Sequence, residues 1–242
     1  MNFTIMKTIK NKTMNKKNNY MQKFFFLLMM GFSLCAVQAC SGDDDESRVL
    51  DNGNFLVSGH EAVDLGLSVK WATCNVGASS PEDYGGYYAW GETEVMKEKD
   101  SYKWYKKNDL WDEVIKYDEN KDGKTVLDPS DDVATVNWGI KWRMPTKKEI
   151  DELINKCAWI GTTRNNVEGC VIFGPSGRSI FRPAASERFD VYFQGEHGYY
   201  YSATLSENDS FRAYTLFFFN DGDSYLHEES RTHGFSVRPV TE

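Results

Sequence analysis

The chain is poor in the residues on which much protein chemistry depends. It has four His, five Cys and six Pro in 242 residues. His60, His197, His227 and His233 lie scattered and no CxxC occurs, which argues against a zinc site. No GxSxG and no Ser–His–Asp grouping is visible, so the common hydrolase nucleophiles have no signature. No uncharged apolar run reaches the roughly 20 residues of a membrane-spanning helix; the stretch Phe24–Val37 has fourteen. Positive charge is scarce where it would matter. The chain carries −8 overall, yet residues 1–39 hold six Lys and no acid, so the remainder stands at −8 less six, or −14. That balance excludes a phosphate-binding surface of the nucleic-acid kind and electrostatic attachment to anionic lipid.

What the N-terminus does have is a pattern. Lys7, Lys10, Lys12, Lys16, Lys17 and Lys23 precede the short apolar run, and small residues follow it, as in a secretory signal. The exit "VQAC" (37–40) resembles the lipobox of bacterial lipoproteins, with Gln38 an unusual middle residue. The rival Cys35 follows Leu34, too bulky for the position before a lipidated cysteine. Cys40 is therefore expected to carry the lipid and to begin the mature chain; an ordinary cleaved signal with an incidental cysteine is the plainer alternative. "SGDDDE" (41–46) resembles the acidic export signal of Bacteroidota surface lipoproteins, and as a charge run it also suits a solvated spacer. The expected organisation is a signal peptide at 1–39, an acidic tether at 40–60 and one domain at 61–242. The resemblance implies a lipid anchor in the cell outer membrane, facing the exterior. Two acyl chains hold a membrane where one is marginal.

Aromatics make up 14% of the chain, with seven Trp and 13 Tyr, a composition of strands and loops. "AVDLGLSVKWATCNVG" (62–77) alternates as two short strands around Gly66, and "YGGYYAWGE" (84–92) reads as a third. Thr93 to Asp132 is a long polar loop with interleaved aromatics, of the kind that is functional or packs on itself. "MPTKKEIDELINKC" (144–157) is the one convincing helix, about 146–157. Thr146 and Glu149 form a capping box there, and Ile150, Leu153, Ile154 and Cys157 share a face. "AWIGTTR", "EGCVIFG", "RSIFRPA", "GYYYSATL", "FRAYTLFFF" and "GFSVRPV" follow as strands, with hairpin turns at "RNNVEG", "GPSG" and "NDGD". The fold class is α+β: mostly short antiparallel strands, one main helix and long loops. Cys74, Cys157 and Cys170 allow Cys74–Cys157 or Cys157–Cys170, and spacing does not choose.

Three phrases together carry a family likeness: "VDLGLSVKWATCNVGASSPEDYGGYYAWGET" (63–93), "DDVATVNWGIKWRMPTKKEIDEL" (131–153) and "GYYYSATL", "AYTLFFF" and "HGFSVRPV" within 198–240. They resemble the Fibrobacter succinogenes major paralogous domain of Bacteroidota lipoproteins, over about residues 61 to 240. "WRMPTKKE" is also similar to "WRLPTEAE" of formylglycine-generating enzymes, so a C-type-lectin-like fold is implied. Those enzymes use a C-terminal cysteine pair, and this chain has no cysteine after Cys170. The implied protein is a non-enzymatic module, without cofactor, that binds a glycan or protein. The alternatives are a structural or fimbria-associated envelope component and a carboxylate-based hydrolase.

The expected ligand surface is the C-terminal meander, where Tyr, Ser, Asn, His and Arg crowd between apolar positions. Tyr199, Tyr201, Phe211, Arg212, Tyr225, His227, Arg231 and His233 are the expected binding residues, with Trp104, Tyr105 and Trp111 of the long loop as an accessory pocket. "AYTLFFF" should send Tyr214, Leu216 and Phe218 to one face and Thr215, Phe217 and Phe219 to the other. Trp71, Trp90, Trp138 and Trp142 read as core, and Arg143 with Glu149 as an ion pair or cap. Asp118, Asn120 and Asp122, followed by Gly123, match the first half of a calcium loop, but the closing position holds Pro129.

Overall fold

The hairpin at "RNNV" shows how local sequence builds this chain. Asn165 and Asn166 both take positive φ (49° and 63°), as a two-residue turn matched to strand twist requires. The turn joins β7 (Ala158–Arg164) to β8 (Val167–Phe173) in continuous register from Arg164↔Val167 to Ala158↔Phe173. The computed structural model describes residues 47–98, 102–106, 113–188 and 194–242. They belong to a compact unit, Asp44–Glu242. Cys40, Trp111 and the signal segment lie outside the described residues.

Short strands dominate. Earlier in the chain come β1 (Arg48–Val49), β2 (Phe55–Val57), β3 (His60–Val63), β4 (Lys70–Ala72), β5 (Tyr105–Lys106) and β6 (Glu113–Val114). β9 (Ser179–Pro183), β10 (His197–Leu205), β11 (Arg212–Phe219), β12 (Ser224–Ser230) and β13 (Val240–Thr241) complete the set. One five-stranded sheet has the order β1-β2-β3-β4-β13, so the last strand pairs with one near the start. β7-β8-β9 and β10-β11-β12 are antiparallel meanders, and β5-β6 is a small ribbon inside the long loop.

The expected helix is present as Lys147–Lys156. Thr146 caps it, and the capping box with Glu149 is complete. Arg143 grips the same Glu149 in a bidentate pair, at 2.7 and 2.8 Å. A second helix precedes it, so we label Val133–Trp138 α1 and Lys147–Lys156 α2. The sequence hides α1 because "VATVNW" is rich in β-branched residues, which disfavour helix. Its N-cap decides. The buried Asp132 carboxylate accepts from Ala134 N, Thr135 N and Met144 N, tying the helix start to the strand-like segment before α2. Burial pushes the Asp132 carboxyl upward, against those three amides.

Other expectations are corrected. The stretch read as tether holds β1 and β2 from Arg48 onward, because Leu56 and Val57 supply an apolar edge that β3 covers. "YGGYYAWGE" is not a strand: positive-φ Gly85 and Gly91 break it, leaving a single bridge, Tyr88↔Phe235. "GFSVRPV" likewise runs largely outside strand pairing, joined by isolated bridges at Phe235, Ser236 and Val240. Neither the Cys74–Cys157 nor the Cys157–Cys170 disulfide is present, and burial pushes the Cys157 thiol up to about 12.

The core forms two clusters. Trp90, Trp142, Tyr117, Tyr201 and Phe235 centre the first; Trp71, Ile150, Leu153, Ile172, Leu216 and Phe218 centre the second. Trp71, Trp90, Trp138 and Trp142 are all buried, as their composition suggested. Trp90 and Trp142 satisfy their N–H groups on the carbonyls of Ser202 and Val57. Helix α2 lies against β10–β12, so one face of that sheet is committed to the core. Replacing Thr146 by Ala should cost about 1 kcal/mol in urea denaturation; an unchanged midpoint would mean that the Arg143–Glu149 pair alone holds the start of α2.

Candidate functional site

The register of β10–β11–β12 divides its side chains as the alternation requires. Tyr214, Leu216 and Phe218 are buried, the latter two in the second core cluster. Thr215, Phe217 and Phe219 take the other face. Pairing sets Tyr199 opposite Phe217 and Phe217 opposite Tyr225, one aromatic from each strand in a row. The ring centroids stand 4.8 Å apart for Tyr199–Phe217 and 6.4 Å for Phe217–Tyr225, the second pair inclined by 25°. His197 and His227 flank Phe217 at 5.5 and 6.3 Å, and Phe219 continues the row at 4.8 Å. All are half-buried or exposed. The row rests on the buried Phe235, stacked under Tyr199 at 4.8 Å and 10°.

Beside this strip lies a charged group of four. Glu229 meets the His227 imidazole at 3.1 Å and that of His233 at 3.7 Å, while Glu187 approaches His233 at 3.8 Å. The hydrogen bond to Glu229 outweighs desolvation and raises the His227 pKa. Burial is the largest single influence and would raise Glu229, but the His227 hydrogen bond, the His227 and His233 charges and the Ser230 amide together hold its carboxyl below the usual range. The strip thus combines ring faces with an acceptor and two donors at one edge.

Of the eight expected binding residues, the fold brings together Tyr199, Tyr225, His227 and His233. Tyr201 and Arg231 are corrections. Tyr201 is 1% exposed, and its hydroxyl donates to the carbonyls of Ser230 and His233. Arg231 is fully buried, donating to the Tyr102 hydroxyl and to the carbonyls of Ser210, Tyr117 and Lys116. Both face the first core cluster, where the long loop folds back over the sheet. Phe211 and Arg212 sit apart: Phe211 packs on Tyr105 at 5.2 Å, and Arg212 bonds Glu228 O and Asp209. Trp104 packs half-buried against the core, with its N–H on Gly91 O, and Trp111, its expected partner in the accessory pocket, lies outside the described residues. His197, Phe217, Glu187 and Glu229 were missed. The alternation of "AYTLFFF" already set Phe217 opposite the buried face, and the "HEES" run held Glu229.

The half-motif at 118–122 is built as a self-capped turn. Asp122 accepts from the amides of Tyr117, Asp118 and Lys124, and Asp118 accepts from Asn120 N. These bonds hold Asp122 below the ordinary carboxylate range against partial desolvation. Asn120 is exposed. Among the described residues no group of three or more His, Cys, Asp or Glu converges on a common metal position. Three side chains supply only part of the six to eight oxygens of a calcium shell, and the two carboxylates already accept backbone amides.

Comparisons with known protein families, with curated proteins and with solved structures found no match.

The His227–Glu229 pair sets a pH window. A raised His227 contributes stability that is complete below its ordinary value of 6.5 and is lost as pH rises through the folded value. A lowered Glu229 contributes above 4.5 and is lost as pH falls through its folded value. Wild-type melting temperature should therefore decline above pH 6.5 more steeply than that of His227→Gln. Parallel curves would show that the pair is energetically silent.

Proposed function

We propose that this chain is a surface-tethered, non-enzymatic binding module with a C-type-lectin-like fold, and that its ligand is a glycan. The observation that carries the reading is the strip Tyr199–Phe217–Tyr225, one ring from each strand, edged by His227, Glu229 and His233. Aromatic faces take the apolar CH faces of a sugar ring, and a few polar groups at the edge fix its orientation by hydrogen bonds. Tyr and Phe do this at small cost in side-chain entropy. The strip sits on a sheet whose other face is locked by α2, so the rings are presented on a fixed base.

The order of elements, with short strands, a long loop, a helix and an antiparallel meander, supports the lectin-like reading and the resemblance to the major paralogous domain. Glu187 and Glu229 both approach the His233 imidazole, at 3.8 and 3.7 Å, so the imidazole stands between the two carboxylates. A structural envelope role is the second reading, and one feature favours it: β12 is an outer strand of its sheet. Its run of His227, Glu228 and Glu229 opposes edge-to-edge pairing, as charges on sheet edges do. Glycan binding is therefore preferred.

The test is a glycan array probed with residues 41–242, with calcium and with chelator. We expect specific hits that survive chelation and fall at least about tenfold in Phe217→Ala/Tyr225→Ala, the loss of roughly 1.4 kcal/mol. Hits of unchanged strength in that variant would overturn the site, and an array without hits would move the ligand to a protein. For the anchor, Cys40→Ala should abolish labelling of the full chain by radioactive palmitate; retained labelling would remove Cys40 from the proposal.

A further inference from the structure

Away from the strip, the second core cluster hides two arginines. Arg182 on β9 is 0% exposed and Arg238, just before β13, is 1% exposed. Charged guanidinium groups this deep are costly unless an opposite charge and a full set of acceptors meet them. Arg238 has much of its set: Asn75 Oδ1 at 2.7 Å, and the carbonyls of Ala72, Thr73 and Phe181. Its Nη2 has no partner. Arg182 lies between two ring faces, 5.1 Å from the Trp71 centroid and 4.6 Å from that of Tyr200. Its Nε and Nη2 are buried without partners, as is the Trp71 indole N–H.

The two sites are one neighbourhood. Arg238 bonds the carbonyl of Phe181, the residue before Arg182, and Asn75 links Arg238 to the Tyr200 hydroxyl. All the orphaned atoms here are N–H donors. No carboxylate among the described residues forms an ion pair with either arginine.

Nor does the neighbouring Tyr200 supply the missing charge. The Tyr200 hydroxyl donates its proton to Pro183 O at 2.7 Å, and burial pushes its pKa up to about 12, so it is no phenolate. Burial, with Arg238 close by, brings Arg182 down to about 9. Arginine stays protonated at neutral pH, and no carboxylate among the described residues is paired with either guanidinium to oppose its charge.

We infer that a small monovalent anion, chloride in size and charge, binds inside the fold against Arg182, Arg238 and the Trp71 indole N–H. The unpartnered groups are N–H donors only, and an anion accepts from them without having a proton of its own to place. One negative charge between two guanidinium groups leaves a net single positive charge, and a dry, low-dielectric surround strengthens the attraction. This site is independent of the aromatic strip and of whatever the strip binds.

The experiment uses the 41–242 protein at constant ionic strength, exchanging gluconate for chloride. A ligand that binds only the folded state raises its melting temperature with the logarithm of concentration. We expect a rise of about 2–4 °C from 1 to 100 mM chloride, and its loss in Arg182→Met. Wild-type crystals grown in bromide should show an anomalous peak within hydrogen-bonding reach of Arg182. The peak alone decides the matter if Arg182→Met does not fold. Equal melting in chloride and gluconate, or a water without anomalous signal at that position, overturns the proposal.

Discussion

The buried guanidinium of Arg231 is the constraint on which the rest of the domain depends. From the end of β12 it gathers Lys116 O, Tyr117 O, Ser210 O and the Tyr102 hydroxyl, with its cation 4.8 Å from the Trp90 ring. Those groups come from the long loop, the β10–β11 connection and the first core cluster. A polar loop has little apolar surface with which to hold itself down, and its backbone carbonyls would otherwise have to stay in water. One planar fork with several donors replaces that water and fixes three separate segments at one point. Tyr117 is then free to use its ring against Trp90 and its hydroxyl on Asp131, which Lys116 also grips.

Much of the strand pattern was legible because it is local. The "NN" turn, the capping box at Thr146 and the alternation of "AYTLFFF" each state their geometry in neighbouring residues. What escaped reading was decided at long range. α1 exists because Asp132 reaches Met144, a contact invisible in "VATVNW". "YGGYYAWGE" looks like a strand but is bent by positive-φ glycines whose neighbours come from elsewhere in the chain: Gly85 lies against Val76, and Gly91 against Trp104 and Leu127. The half calcium motif has a local use as well, since Asp, Asn and Gly at that spacing make a turn that hydrogen-bonds to itself.

The candidate site was half legible. Residue type singled out Tyr199, Tyr225, His227 and His233, but type alone could not separate a tyrosine on the surface from one in the core. Tyr199 and Tyr201 lie on the same face of β10, two residues apart; the loop folded down by Arg231 covers one and leaves the other at the rim. Arginine misled more sharply. In this protein Arg182, Arg231 and Arg238 are among the most buried side chains, so three of the basic residues that read as surface groups belong to the interior.

The five-stranded sheet has a mechanical consequence. A pull on the chain ahead of Arg48 enters at its outermost strand, and the first pairs it loads are Arg48↔Leu56 and Val49↔Phe55. Two residue pairs yield before the longer β2–β3 ladder feels the load. Under such a load the edge hairpin would pay out a few residues of slack before the rest of the sheet is strained.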